Sequence, residues 1–266
     1  MVFLKMVKFY SMPVFAMIFL SLSLNCYSQF ELSHGAIIRG DISLKKIALV
    51  FTGHDHAEGG EEILKVLEEK EVPGAFFLTG DFLRNPDFKS IIHKMITDGH
   101  YVGPHSDKHL LYCTWEDREM LLIDKEKFFL DLDNNYQELE RFGLTLEQAA
   151  YFLPPYEWYN ITISEWASEF GAQLINFTPG TRSHADYTDP SMPNYINSQD
   201  IMRSIYDYEK EADNGLNGFI LLSHIGVGQN RTDKFYKHLP HLIDGLQVKG
   251  YKIVALEELL KENDDQ

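Results

Sequence analysis

The chain has 266 residues, 44% hydrophobic and 24% charged, a globular balance that sets it apart from disordered sequences and allows one large or two small domains. Its net charge of −16 argues against nucleic acid or an anionic membrane surface as a partner and leaves neutral or cationic ones.

Residues 1–28 stand apart. Lys5 and Lys8 precede an apolar run through Val14, Phe15, Ile18, Phe19, Leu20 and Leu24, then Cys26-Tyr27-Ser28-Gln29. This is the order of a secretory signal, with cleavage expected after Ser28 and a secreted or periplasmic product. An uncleaved anchor is the alternative, although the run falls short of the ~20 residues a spanning helix needs. A lipoprotein through Cys26 is a third, with Leu24-Asn25-Cys26 an imperfect lipobox. Cleavage would make the mature chain still more acidic and leave no membrane span. Cys113 would then be the sole cysteine, so no intrachain disulfide is possible. Residues 29–45 read as an N-terminal extension, a small hairpin or strand.

From Lys46 short apolar runs alternate with helical patterns. Ile47–Phe51 is a continuous apolar run, the mark of a buried strand. Glu61–Lys70 carries Ile63, Leu64 and Leu67 on one helical face. Gly74–Leu78 is a second strand. Pro86 opens a helix bearing Ile91, Ile92, Met95 and Ile96, and Gly99 stops it. His100–Gly103 is a short strand, and a long helical region is expected from about 116 to 141, with a break near Lys125. Strands follow at 151–153, 173–177, 219–223 and 252–254. Between and after them lie helices ending at Phe170 and spanning 198–212, 233–246 and 256–260. Around seven β-α units over 46–262 predict an α/β fold, a parallel sheet curled into a barrel with outer helices. In such barrels active sites gather at the carboxyl ends of the strands.

Polar stretches sit at those ends: Thr52–His56, His105–His109, Pro154–Trp158, Thr178–Asp186 and His224. In His105-Ser106-Asp107-Lys108-His109 two histidines lie four apart. On a helical turn that spacing puts both imidazoles on one face, which is half of a divalent metal site.

The series as a whole resembles the polysaccharide deacetylases of carbohydrate esterase family 4. The pieces, in order, are Ile47-Ala48-Leu49-Val50-Phe51, Ala75-Phe76-Phe77-Leu78-Thr79-Gly80, Gly99-His100 with the histidine pair, Phe152–Tyr156, Ile220-Leu221-Leu222-Ser223-His224 and Lys249-Gly250-Tyr251. The resemblance implies a distorted (β/α)7-type barrel. It also implies one divalent metal, zinc first with cobalt or nickel as alternatives, held by an Asp and two His. The activity implied is removal of acetyl groups from an acetylated glycan, N-acetyl ahead of O-acetyl. His105 and His109 match the family's histidine ligands, and His224 its general acid.

Two departures matter. The family's Thr-Phe-Asp-Asp is replaced by Val50-Phe51-Thr52-Gly53-His54-Asp55-His56, so an ungapped match puts Thr52 and Gly53 on the aspartates. Asp55 is then expected as the metal ligand, His54 as a replacement base and His56 as an extra ligand or a solvated residue. His56 and Asp107 are next in line as base. The family's Arg-Pro-Pro-Tyr is Leu153-Pro154-Pro155-Tyr156. Losing the Arg with its Asp is coherent, because a buried unpaired Arg is costly. Pro155, Tyr156 and Trp158 are expected to bind substrate. Asp186-Tyr187 stands in for the aspartate that orients the acid, with Arg182 and His184 as alternatives. Two rival readings remain: a catalytically silent glycan-binding protein, and a metal-dependent hydrolase of a small non-sugar amide.

Overall fold

The computed structural model describes residues 30–261. The expected signal segment, including Cys26, lies outside them. Among the described residues no helix is long and apolar enough to cross a membrane.

The chain opens with a hairpin, β1 (Glu31–Ser33) and β2 (Ala36–Arg39), and then β3 (Lys46–Gly53). There follow α1 (Gly60–Glu69), β4 (Ala75–Leu78), α2 (Gly80–Arg84), α3 (Lys89–Thr97), β5 (Tyr101–Pro104) and α4 (Lys125–Glu140). The second half runs β6 (Tyr151–Phe152), α5 (Ile161–Phe170), β7 (Gln173–Leu174), α6 (Ser198–Glu211), β8 (Phe219–His224), α7 (Leu239–Val248), β9 (Lys252–Ile253) and α8 (Leu256–Leu259). Local sequence accounts for the helix ends. The Asn160 side chain accepts from the Ile163 amide at the start of α5, and Gly171 closes it at φ 103°, the left-handed cap glycine tolerates best. Asp124 caps α4 through the Lys127 amide. The expected helix therefore begins only at Lys125, because residues 116–124 fold as turns pinned by Thr114 and Asp117.

The main sheet has the order β1-β2-β8-β3-β4-β5, with β9 also on β3, while β6 and β7 form a separate parallel pair. Single bonds join the two pieces. The Leu153 amide donates to the Pro104 carbonyl at 3.3 Å, and the Asn176 amide to the Ile37 carbonyl at 2.9 Å. The result is a curled, mostly parallel sheet, a distorted (β/α) barrel. The hairpin read as a separate extension is one of its staves: β2 pairs antiparallel with β8 and bridges to Ile175.

Side-chain alternation divides each stave between two cores. Ile47, Leu49 and Phe51 face the outer helices with Ile63, Leu64 and Leu67. Ala48 and Val50 face the barrel interior with Phe77, Tyr101, Leu153, Ile175, Ile220 and Leu222. Leu256, Leu259 and Leu260 belong to this inner core, and Glu258 pairs with Lys46 at 3.0 Å, so α8 plugs the end where β3 begins. The other end is open.

Candidate active site

At the open end each inward row finishes in a polar residue two positions beyond its last apolar one. Val50 is followed by Thr52 and His54, Phe77 by Thr79, Gly103 by His105, and Leu222 by His224. Most of these line a cavity of about 800 Å³ that also takes in His109, Tyr156, Glu157, Trp158, His184 and Tyr187. Parity thus decides which loop residue faces inward. A Cβ on Gly53 would meet Ile225, Leu78 and Phe82 at about 3 Å, on the outer face.

The histidine pair does not lie on a helix, contrary to expectation. Residues 105–111 are irregular, with Ser106 at φ 73° and His109 at φ 52°. α4 holds the loop from behind. Asn135 accepts from the His105 amide at 2.9 Å, and Asp131 accepts from the amides of Asp107 and Lys108 at 3.1 Å each. Both are buried, one helical turn apart on one face of α4. Glycine is required at position 80, where a Cβ would lie 1.8 Å from Asp107 Oδ1. Asp107 is itself engaged by Arg84 at 2.5 Å, within a network that includes Asp81 and Glu138. It is therefore unsuited to the role of base.

His105 Nδ1 donates to the Leu153 carbonyl at 2.7 Å. A carbonyl only accepts, so the proton is on Nδ1 and Nε2 keeps its lone pair, the arrangement that orients a metal-binding imidazole. Burial, opposed in part by that bond, pushes the His105 pKa down to about 3. Burial and the neighbouring His105, His54 and His224 push His109 down to about 2. Both rings are neutral at neutral pH, as ligands must be. Their centroids are 5.1 Å apart, close to the roughly 5 Å expected of two imidazoles sharing one tetrahedral ion at ~2 Å.

The third donor is not in place. Among the described residues no three His, Cys, Asp or Glu side chains converge as a metal cluster. The Asp55 side chain is 71% exposed, with Oδ1 3.4 Å from His54 Nε2. His54 stacks on His109 at 4.6 Å and 12°, and its Nδ1 lies 3.1 Å from Thr79 Oγ1. His56 is exposed against Gly228. Two imidazoles are donors that suit a divalent ion, and Asp55, mostly exposed and in contact with His54, is a carboxylate on the same cavity wall.

Across the cavity His224 Nδ1 donates to Asp186 Oδ1 at 2.6 Å, and the His224 amide donates to Oδ2 at 3.0 Å. Burial works to lower the His224 pKa, but the charge and hydrogen bond of Asp186, with Glu157, hold it above its ordinary value. The alternatives to Asp186 go elsewhere. Arg182 is exposed and outside the cavity lining. His184 stacks on Phe177 at 4.5 Å, and burial pushes its pKa down to about 4.

On the third side, Tyr156 meets the His109 ring edge-on at 4.4 Å and Trp115 at 5.6 Å. Trp158 lies 5.7 Å from Trp115 and under the Arg118 guanidinium at 3.7 Å. Pro155, expected at the substrate surface, is buried and is not among the residues lining this cavity. Trp115, Glu157 and Arg118 were not anticipated. Arg118 sits in a stretch expected to be helical, Trp115 just before it, and Glu157 occupies a turn.

Comparison with known proteins agrees with this architecture. The polysaccharide deacetylase family model matches residues 40–175. An uncharacterized 30.6 kDa protein of Geobacillus stearothermophilus is 26% identical over 86% of this chain and 76% of its own. A chitin deacetylase of Colletotrichum lindemuthianum is 25% identical over 75% of this chain and 73% of its own. Among solved structures, a CE4 family pseudoenzyme from Bacillus anthracis superposes with a TM-score of 0.66 at 21% identity, over 87% of this chain and 70% of the other. That likeness establishes the shared fold.

Proposed function

The chain belongs to the polysaccharide deacetylase family, and from that membership we propose that it is a metal-dependent hydrolase that removes acetyl groups from an acetylated glycan, N-acetyl in preference to O-acetyl. The observation that carries this reading is the convergence of two neutral imidazoles, His105 and His109, and a carboxylate-oriented third, His224, on one cavity. A purely structural histidine would not need this arrangement.

His105, His109 and Asp55 would hold one divalent ion, with zinc favoured and cobalt or nickel accommodated. When bound, the ion supplies Lewis-acid polarisation of the acetyl carbonyl and a more acidic water. His105 is held in the binding tautomer by the Leu153 carbonyl. Asp186 orients the His224 ring and favours its protonated form, from which Nε2 can give a proton to the leaving nitrogen. Tyr156 and Trp158 offer aromatic faces to a sugar ring, and the net charge of −16 suits a neutral or cationic glycan. The signal-like residues 1–28 support a secreted or periplasmic setting. Acetate release from acetylated chitooligosaccharides, measured with zinc-loaded protein, tests the proposal.

A second reading is favoured by one observation. Thr52 and Gly53 stand where the family carries its two aspartates, and Gly53 faces an apolar contact. On that basis the protein would be a silent glycan binder. Binding to the same oligosaccharides with no acetate released would establish it.

A further inference from the structure

The deacetylase reading leaves one chemical place open, that of a group to take the proton from the attacking water. The His54 ring is stacked on His109 with Nδ1 3.1 Å from Thr79 Oγ1, Asp107 is bound to Arg84, and position 52 offers a hydroxyl in place of a carboxylate. We propose, resting on that reading, that Glu157 is the general base.

The first observation is the turn that presents it. Tyr156 and Glu157 are consecutive non-glycine residues in the left-handed region, at φ 59° and 53°. Such strained conformations persist only where the surroundings impose them. They do so here. The Glu157 amide donates to the Pro154 carbonyl at 3.1 Å. Asn176 Nδ2 donates to the Glu157 carbonyl at 3.0 Å. Trp158 Nε1 donates to the Thr114 carbonyl at 3.0 Å. The turn so fixed makes Glu157 part of the cavity wall.

The second observation is its company. His224 and Asp186 are the charged groups that act on the Glu157 carboxyl, and they are the residues assigned to proton donation. Burial, with Asp186 adding to it and His224 opposing, pushes the Glu157 pKa up to about 7, near where a base that must release its proton each cycle should lie.

The third is Thr52. It is 2% exposed, its Oγ1 has no hydrogen-bond partner, it lines the same cavity, and it sits opposite His224 in the β3–β8 register. A buried hydroxyl without a partner marks a place for a bound water.

The step balances. The water oxygen forms a bond to the acetyl carbon while Glu157 takes one of its protons. The C–N bond breaks, and the leaving nitrogen receives the His224 proton. The products are a free amine and acetic acid. Glu157 then returns its proton and His224 regains one through solvent.

Acetate release from penta-N-acetylchitopentaose by the zinc-loaded full chain, wild type against E157Q and E157A, tests the assignment. E157Q should lose roughly 10²–10⁴-fold in kcat with KM and bound zinc unchanged, and added formate should restore part of the rate to E157A. An E157Q variant as fast as wild type, or an E157A variant that formate fails to rescue, would overturn the role. A wild type that binds the oligosaccharide but releases no acetate overturns the deacetylase reading, and this role with it.

Discussion

Replacing Asp186 by Asn removes one negative charge from the His224 pair and leaves the shape. Asp186 is 3% exposed and accepts from both the ring and the amide of His224, at 2.6 and 3.0 Å. An amide oxygen can serve one of these donors well. A charge-assisted hydrogen bond contributes about 1.5–3 kcal/mol and a neutral one about 1. The protonated ring therefore loses about 0.5–2 kcal/mol of preference, roughly a 2- to 30-fold fall in its ratio to the neutral form. The sign follows from linkage. The folded pKa of His224 lies above its ordinary value, so the pair's contribution to stability is fully present below the unfolded pKa of about 6.5 and fades as pH rises through the folded value. Asp186→Asn should thus lower the melting temperature more at pH 6 than at pH 9. The His224 ring resonance should titrate at lower pH, and the alkaline limb of acetate release should shift the same way. An unmoved His224 titration would refute the reasoning, whatever happens to the rate.

Three further outcomes are expected. Wild type should hold about one zinc per chain by elemental analysis after dialysis, and His105→Ala, His109→Ala and Asp55→Ala should each lose it; equal metal in all four would remove the ligand assignment. Arg84→Ala removes the 2.5 Å partner of the buried Asp107 and one of the two arginines on Glu138 and should cost about 2–3 kcal/mol, a melting point lower by roughly 5–10 °C. Lys125→Ala, which breaks an exposed pair with Glu169, should cost less than about 0.5 kcal/mol, and equal losses would contradict the network's role. Mass spectrometry of the exported protein should find the mature chain beginning near Gln29; an intact Met1 would indicate an anchor, and a lipid on Cys26 a lipoprotein.

Much of the fold was legible because strands buried on both faces read as unbroken apolar runs, as in Ile47–Phe51 and Phe219–Leu222. The histidines were legible because polar residues at strand ends have no packing reason to be there. What misled was spacing taken alone. His105 and His109 are four apart, yet two left-handed residues and the Asn135–Asp131 clamp, not a helix, bring their rings together. Strand parity turns His54 inward and leaves Asp55 mostly exposed beside it, which the loop's sequence alone did not show. Glu157 was overlooked because a glutamate after Pro-Pro-Tyr reads as a solvated turn, and its surroundings come from residues 176, 186 and 224. The role of the hairpin was hidden for the same reason, since its partner strand lies far along the chain.

That distance sets an order of events. Arg39 donates from Nε to the Asn217 carbonyl, 178 residues away, at 2.8 Å, and from a terminal nitrogen to the Gly215 carbonyl at 2.8 Å. Until β8 has been synthesised, β2 has its hairpin partner β1 but neither its β8 neighbour nor these acceptors. Contacts of such long sequence separation form late and slowly, so the nascent chain carries a hairpin with one open edge through most of its synthesis, a state prone to mispairing. The same strand sets His224 opposite Thr52 through its pairing with β3, so the cavity cannot assemble before β8 has joined both β2 and β3.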